Sequence, residues 1–159
     1  MQRLATLFFM LLFVSVVHVQ AQDKAPATTP DAELIKQTAL DYIEGWYDAD
    51  AARMERALHP ELAKRIVQTD QRGRSNFGHM GAMRLVQLTR VSDGKNIPKE
   101  KQQKDVTVFD IFGNAATAKI VAADWIDYLH LAKWNGRWVI VNVLWEMKPK
   151  PPAPSSGTP

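Results

Sequence analysis

Asn135-Gly136 constrains this chain more than any other pair of residues. It stands between two apolar-rich segments, and a two-residue type I′ turn needs φ > 0 at both central positions, which Asn-Gly supplies. Gly113-Asn114 marks a second turn. Between and beyond these turns, Asp105–Met147 reads as a three-strand meander: Val106–Phe112, Ala115–Trp134 and Arg137–Met147. A two-residue loop pairs Trp134 with Arg137, and the register follows outward from there. Side chains alternate across a strand. One face therefore carries Leu131, Leu129, Asp127, Trp138, Ile140, Asn142 and Leu144, and the other His130, Tyr128, Ile126, Val139, Val141, Val143 and Trp145. Neither face is polar, so both must be covered: helices on the first, a second subunit on the second. The middle segment is long enough to hold a bulge upstream of Trp125, where the alternation would invert.

Asp127 and Asn142 are the two polar groups on the first face, nearly opposite one another. A buried carboxylate is costly unless hydrogen-bonded. Two roles fit: a satisfied structural pair, or a polar anchor at the back of a ligand cavity.

Composition sets limits on the rest. With 159 residues, 46% hydrophobic and 23% charged, the chain suits one globular domain that holds itself together by its core. The formal charge of +3 is scattered, with no basic stripe interleaved with aromatics, which argues against nucleic-acid binding. There is no cysteine, which excludes disulfides, thiolate catalysis and cysteine-ligated metal sites.

Met1–Ala21 has the parts of a secretory signal peptide: Arg3, the apolar run Leu4–Val17, and Val19-Gln20-Ala21 as cleavage site. The run is too short for a membrane span, which needs about 20 residues. The expectation is a periplasmic or secreted protein, cleaved after Ala21, with no stable membrane anchor. Residues 22–30 form a polar lead-in, and Thr29-Pro30-Asp31-Ala32-Glu33 is a helix start. The first helix runs to about Asp48, with Leu34, Ile35, Thr38, Ala39, Tyr42, Ile43 and Trp46 on one stripe. Gly45 inside it implies a close packing contact. Asp50 caps a short second helix, Ala51–Leu58, ended by His59-Pro60. Glu61–Thr69 reads as a short strand with Leu62, Lys64 and Ile66 alternating, and Phe77–Thr89 as a third helix. Val91–Lys104 is a solvated loop. The proline-rich end, 148–159, cannot pack and reads as a polyproline-like tail. The folded domain is thus 31–147.

Helices followed by a long bent meander form an α+β order, and particular residues sharpen it. Ala39–Asp50, Met54…Ala57-Leu58-His59-Pro60-Glu61-Leu62-Ala63-Lys64-Arg65, Gly113–Lys119, Asp127-Tyr128-Leu129-His130-Leu131 and Asn135–Asn142 together resemble the nuclear-transport-factor-2-like (NTF2-like) superfamily, most closely its branch called putative lumazine-binding. The resemblance spans about Asp31–Met147. It implies a cystatin-like cone, a pocket between the helices and the concave sheet, and dimerisation through the outer sheet face, here Tyr128, His130, Val141 and Trp145. The superfamily holds isomerases, dehydratases, cyclases and non-enzymatic members, so the fold does not fix the function. Isomerase-like members place a carboxylate base on the strand after the second helix. Here that strand reads Glu61-Leu62-Ala63-Lys64-Arg65, with no acid at its middle.

The expected pocket lining is Tyr42, Trp46, His59, His79, Met83, Asp127, Asn142 and Leu144. His59 also suits a helix C-cap, Tyr42 and Trp46 also suit plain core packing, and Met80 and Met83 suit core filling. The catalytic candidates are His59, His79 and Asp127, an acid–base or metal set if they converge. The pattern calls for no cofactor and no metal. The leading expectation is an exported dimer that binds a small, partly apolar molecule. The alternatives are a hydratase, dehydratase or isomerase using His59 or His79 with Asp127, and a non-catalytic association module with a filled cone.

Overall fold

The computed structural model describes residues 30–149. The expected signal peptide, the lead-in up to Thr29 and the tail from residue 150 onward lie outside the described residues. Helix α1 (Pro30–Asp48) starts on the expected proline and carries Asp31 and Glu33 in its first turn, where the helix dipole favours acids. Its buried stripe includes Ile35, Ala39, Tyr42, Ile43 and Tyr47, whereas Leu34 is exposed. The helix closes as a Schellman turn: the Asp50 N–H donates to the Gly45 carbonyl (2.9 Å), and Ala49 sits at φ 54°. Asp50 then caps α2 (Ala51–Ala57), accepting from the Arg53 N–H at 2.9 Å. A Cβ on Gly45 would stand 2.9 Å from the Met54 nitrogen, so the expected close contact is that of α1 against α2.

The remaining elements are β1 (Leu58–Thr69), β2 (Ser75–Met80), α3 (Ala82–Arg90), short 3₁₀ turns at Asp93–Asn96 and Lys99–Lys101, β3 (Lys104–Phe112), β4 (Ala115–Ala122), β5 (Trp125–Trp134) and β6 (Arg137–Met147). The six strands form one sheet in the order β2-β1-β6-β5-β4-β3. Only β1 and β6 run parallel among these neighbours. The core lies between the helices and the inner face: α1 contributes Ile35, Ala39 and Ile43, α2 Met54, α3 Leu85 and Val86, and the sheet Ala118, Ile120, Leu129, Ile140 and Val143.

The fold corrects the sequence reading in three places. First, the expected single strand 115–134 is two strands folded back at Ala123-Asp124. No Gly, Pro or Asn marks this turn. It is held from outside, by the Tyr47 hydroxyl, which accepts from the Ala123 N–H (2.9 Å) and donates to the Gln103 carbonyl (2.8 Å). Second, Phe77–Met80 is a strand paired to β1, and the third helix begins only at Ala82. Cross-strand pairing there overrides a helical spacing of methionines.

The third correction decides the site. The hairpin register is as expected from Trp134↔Arg137 to Leu131↔Ile140, but the next pair is His130↔Asn142, so Val141 is an extra residue in β6. The bulge lies in β6, not upstream of Trp125. One inserted residue turns every later side chain to the opposite face. Val143 and Trp145 therefore join Leu129 and Asp127 inside, while Asn142 and Leu144 join His130 and Tyr128 outside.

Candidate functional site

Between the helices and the inner sheet face lies a cavity of about 230 Å³. Its helical wall is Tyr42 and Trp46 from α1, Met54 from α2, and Leu85 and Leu88 from α3. Its sheet wall is Lys64, Met80, Trp125, Trp145 and Met147. The bulge in β6 brings Trp145 here, and the back-fold at Ala123-Asp124 brings Trp125. Trp46 meets Trp125 edge to face with ring centroids 6.3 Å apart.

One polar cluster sits in this apolar wall. Lys64 Nζ donates to Asp127 Oδ1 at 2.5 Å and to the Tyr42 hydroxyl at 2.7 Å. Trp125 Nε1 donates to the other carboxylate oxygen of Asp127 at 2.6 Å. The ammonium also lies over the Trp145 ring, 4.8 Å from its centroid. Asp127 is fully buried and Lys64 nearly so. Burial of both is tolerable because each compensates the other's charge and the remaining carboxylate oxygen is hydrogen-bonded. Burial pushes the Lys64 ammonium below its ordinary value, against the pull of Asp127. Burial pushes the Tyr42 phenol well above its ordinary value, and the Asp127 charge adds to this. Lys64 is the one lysine, arginine, histidine or acid in the cavity lining among the described residues.

A second charged network holds the rim of the helices. Asp41 accepts from Arg53 Nε at 2.9 Å and Arg56 Nε at 3.0 Å, and Glu44 pairs with Arg53 and Lys104. These contacts fix α2 and β3 to α1.

Of the residues expected to line the pocket, Tyr42 and Trp46 do so, and Asp127 stands directly behind Lys64 and Trp125. The other five do not. His59, at the start of β1, lies edge-on to Trp134 at 5.0 Å, and its Nδ1 accepts from the Glu61 N–H. His79 is exposed on the outer face of edge strand β2, opposite Arg65. Met83 is 67% exposed, on the solvent side of α3. Asn142 and Leu144 face outward because of the bulge. Asn142 accepts from Arg65 Nη1 (2.8 Å) and meets His130 Nδ1 (3.2 Å) there. Asp127 therefore has lysine and indole partners rather than a histidine, and the expected His–Asp set is not assembled. Among the described residues no group of three or more His or acidic side chains could hold a metal ion. Trp145, expected on the outer face, lines the cavity instead.

Lys64 is the residue that the candidate set lacked. A lysine alternating with Leu62 and Ile66 needs a buried anion, and Asp127 needs a buried cation. Matching those two demands is the signal that leads to the pair.

The sequence profile of a family described as putative lumazine-binding matches residues 30–146. No curated protein matches. Among solved structures, the chain is similar to an NTF2-like protein of unknown function from Methylobacillus flagellatus (TM-score 0.58, 21% identity, covering 77% of this chain and 96% of that one). It is also similar to an NTF2-like protein of unknown function from Shewanella baltica (TM-score 0.56, 21% identity, 78% and 100% covered). A ketosteroid isomerase-like protein from Erwinia carotovora atroseptica is a more distant likeness (TM-score 0.51, 13% identity, 77% and 99% covered). At these identities the structural likenesses carry the fold, a cystatin-like α+β cone. By the profile match across nearly all its described residues, the chain belongs to the family described as putative lumazine-binding.

Proposed function

We propose that this protein is an exported dimer that binds a small, largely apolar molecule in the cavity between its helices and sheet. The observation that carries this reading is the wall itself: three tryptophans, a tyrosine and methionines around a single compensated Lys64–Asp127 pair. Ligand pockets combine an apolar lining with a few placed polar groups in this way. The family description points to small-molecule binding in general. Catalysis by a histidine with Asp127 is not supported, because neither His59 nor His79 reaches the cavity.

Dimerisation is supported by the outer sheet face, which exposes Val67, Phe77, Tyr128 and Leu144. Apolar and aromatic groups on one continuous face suit a subunit contact. Export rests on the leader-like sequence of residues 1–21.

Gentle native mass spectrometry on the full chain expressed in an exporting bacterial host tests all three parts. The expected result is a dimer of cleaved chains carrying additional small-molecule mass. An uncleaved, monomeric chain without ligand, which also fails to bind aromatic probes, would overturn the proposal.

A further inference from the structure

Resting on the cavity-binding reading above, we propose that the ligand is uncharged, with a flat apolar body and a carbonyl-type acceptor that takes a hydrogen bond from Lys64.

An ammonium has three N–H donors. Two of those on Lys64 go to Asp127 and Tyr42, and no protein acceptor takes the third among the described residues. The nitrogen is held over the Trp145 face within the cavity wall. A ligand acceptor at the wall completes its hydrogen bonding.

The charge balance then selects among acceptors. Asp127 neutralises Lys64 at 2.5 Å, and Lys64 and Trp125 occupy its two oxygens. A ligand carboxylate or phosphate would become a second anion on one buried cation, beside Asp127, in a site of low dielectric. A neutral carbonyl accepts the same hydrogen bond without that repulsion. A ligand cation has no site either, since Asp127, the one carboxylate at the cavity wall among the described residues, is already paired. Tyr42 accepts from Lys64 and its phenol stays neutral beside Asp127, so it brings no positive charge that would favour an anion over a neutral acceptor. The body follows from the walls: Trp46, Trp125 and Trp145 present aromatic surface to a space of about 230 Å³, which suits one compact ring system.

Three probes of nearly equal shape separate the possibilities: 2-acetylnaphthalene, 2-ethylnaphthalene and 2-naphthoate. Each is titrated into the intact protein at pH 7.5, with quenching of tryptophan fluorescence as the readout. The ketone should bind about tenfold tighter than the hydrocarbon, the factor expected of one hydrogen bond, and tighter still than the carboxylate. A double variant, Lys64→Met with Asp127→Leu, removes the pair without stranding a charge. In it the ketone should fall to the hydrocarbon's affinity while the hydrocarbon is retained. Carboxylate binding as tight as the ketone's, or ketone and hydrocarbon binding alike, would overturn the inference and leave the cavity reading standing. Failure of all three probes to bind would overturn both.

Discussion

Lys64 Nζ lies 2.5 Å from Asp127 Oδ1, joining two side chains 63 residues apart on strands β1 and β5, which do not pair with each other. Strand β6 runs between those two strands, so the ion pair spans it on the inner face and ties β1, the one parallel neighbour, to the antiparallel meander β3–β6. Removing one partner strands a buried charge. Lys64→Met or Asp127→Leu alone should cost about 3–5 kcal/mol, and the double variant should recover most of it. A urea-denaturation cycle over the four proteins measures this. Additive losses would show that the two groups do not act as a unit.

Gly45→Ala should destabilise the protein. Helix propensity alone predicts the reverse, a gain of about 1 kcal/mol. The new Cβ, however, would meet the backbone nitrogen of Met54 at 2.9 Å and the Asp50 carbonyl at 3.2 Å. Backbone cannot step aside as a flexible side chain can, so α2 must shift at a cost of about 1–3 kcal/mol. Met54 lines the cavity, and the affinity of a bound aromatic probe should fall with the stability. Chemical denaturation and probe titration on the same variant read both effects.

Acid should loosen the helical rim. Burial raises the Asp41 carboxyl, but hydrogen bonds from Arg56 and Arg53 outweigh it and hold the group below its ordinary 3.8. Glu44 is likewise held below its ordinary 4.5 by Lys104 and Arg53, against burial. Groups depressed in the folded state contribute stability that is present above the unfolded values and lost as pH falls through the folded ones. The melting temperature should therefore decline as pH drops below about 4.5. Asp41→Asn should flatten that decline while lowering the plateau at pH 7. An unchanged acid slope in this variant would remove Asp41 from the account.

Charge on the outer face should separate subunits. Tyr128 and Leu144 are cross-strand partners on that face, both about half exposed. Tyr128→Glu with Leu144→Glu places like charges side by side, where two copies would bury them together. Sedimentation equilibrium should show the wild type as a dimer and this variant as a monomer of unchanged circular dichroism. A variant that stays dimeric would move the contact to another surface.

The helices and the hairpin were legible in the sequence because their signals are local. Pro30 with two following acids started α1, Asp50 capped α2, and Asn135-Gly136 set the register for its first four pairs. What the sequence hid depends on distant partners. The Ala123-Asp124 turn is stabilised by Tyr47, more than 70 residues earlier, not by its own residue types. Strand β2 forms because β1 offers an edge, although its Met80 and the following Met83 fit a helical period. Tyr42, Trp46 and Asp127 face the cavity side as the spacing predicts, Asp127 because the extra residue belongs to β6 and leaves the alternation of β5 intact. Asn142, Leu144 and Trp145 were assigned to the wrong sides because a bulge leaves no mark where both faces of a strand are rich in apolar residues. The polar anchor was sought opposite Asp127, at Asn142, whereas it comes from Lys64 across β6.

Val141 thus has an effect on the cavity larger than its own side chain. It is the spare residue by which Trp145 looks inward and Leu144 outward. Were it paired into the ladder instead of bulged out, with the hairpin unchanged, the two sides of β6 would exchange from that point to Met147: an indole would leave the cavity and an isobutyl group would enter. Loss of Val141 itself would leave the pairs from His130↔Asn142 to Trp125↔Met147 as they are, so among relatives that share this hairpin the residue can come and go by a single codon while Trp145 keeps its place in the cavity wall.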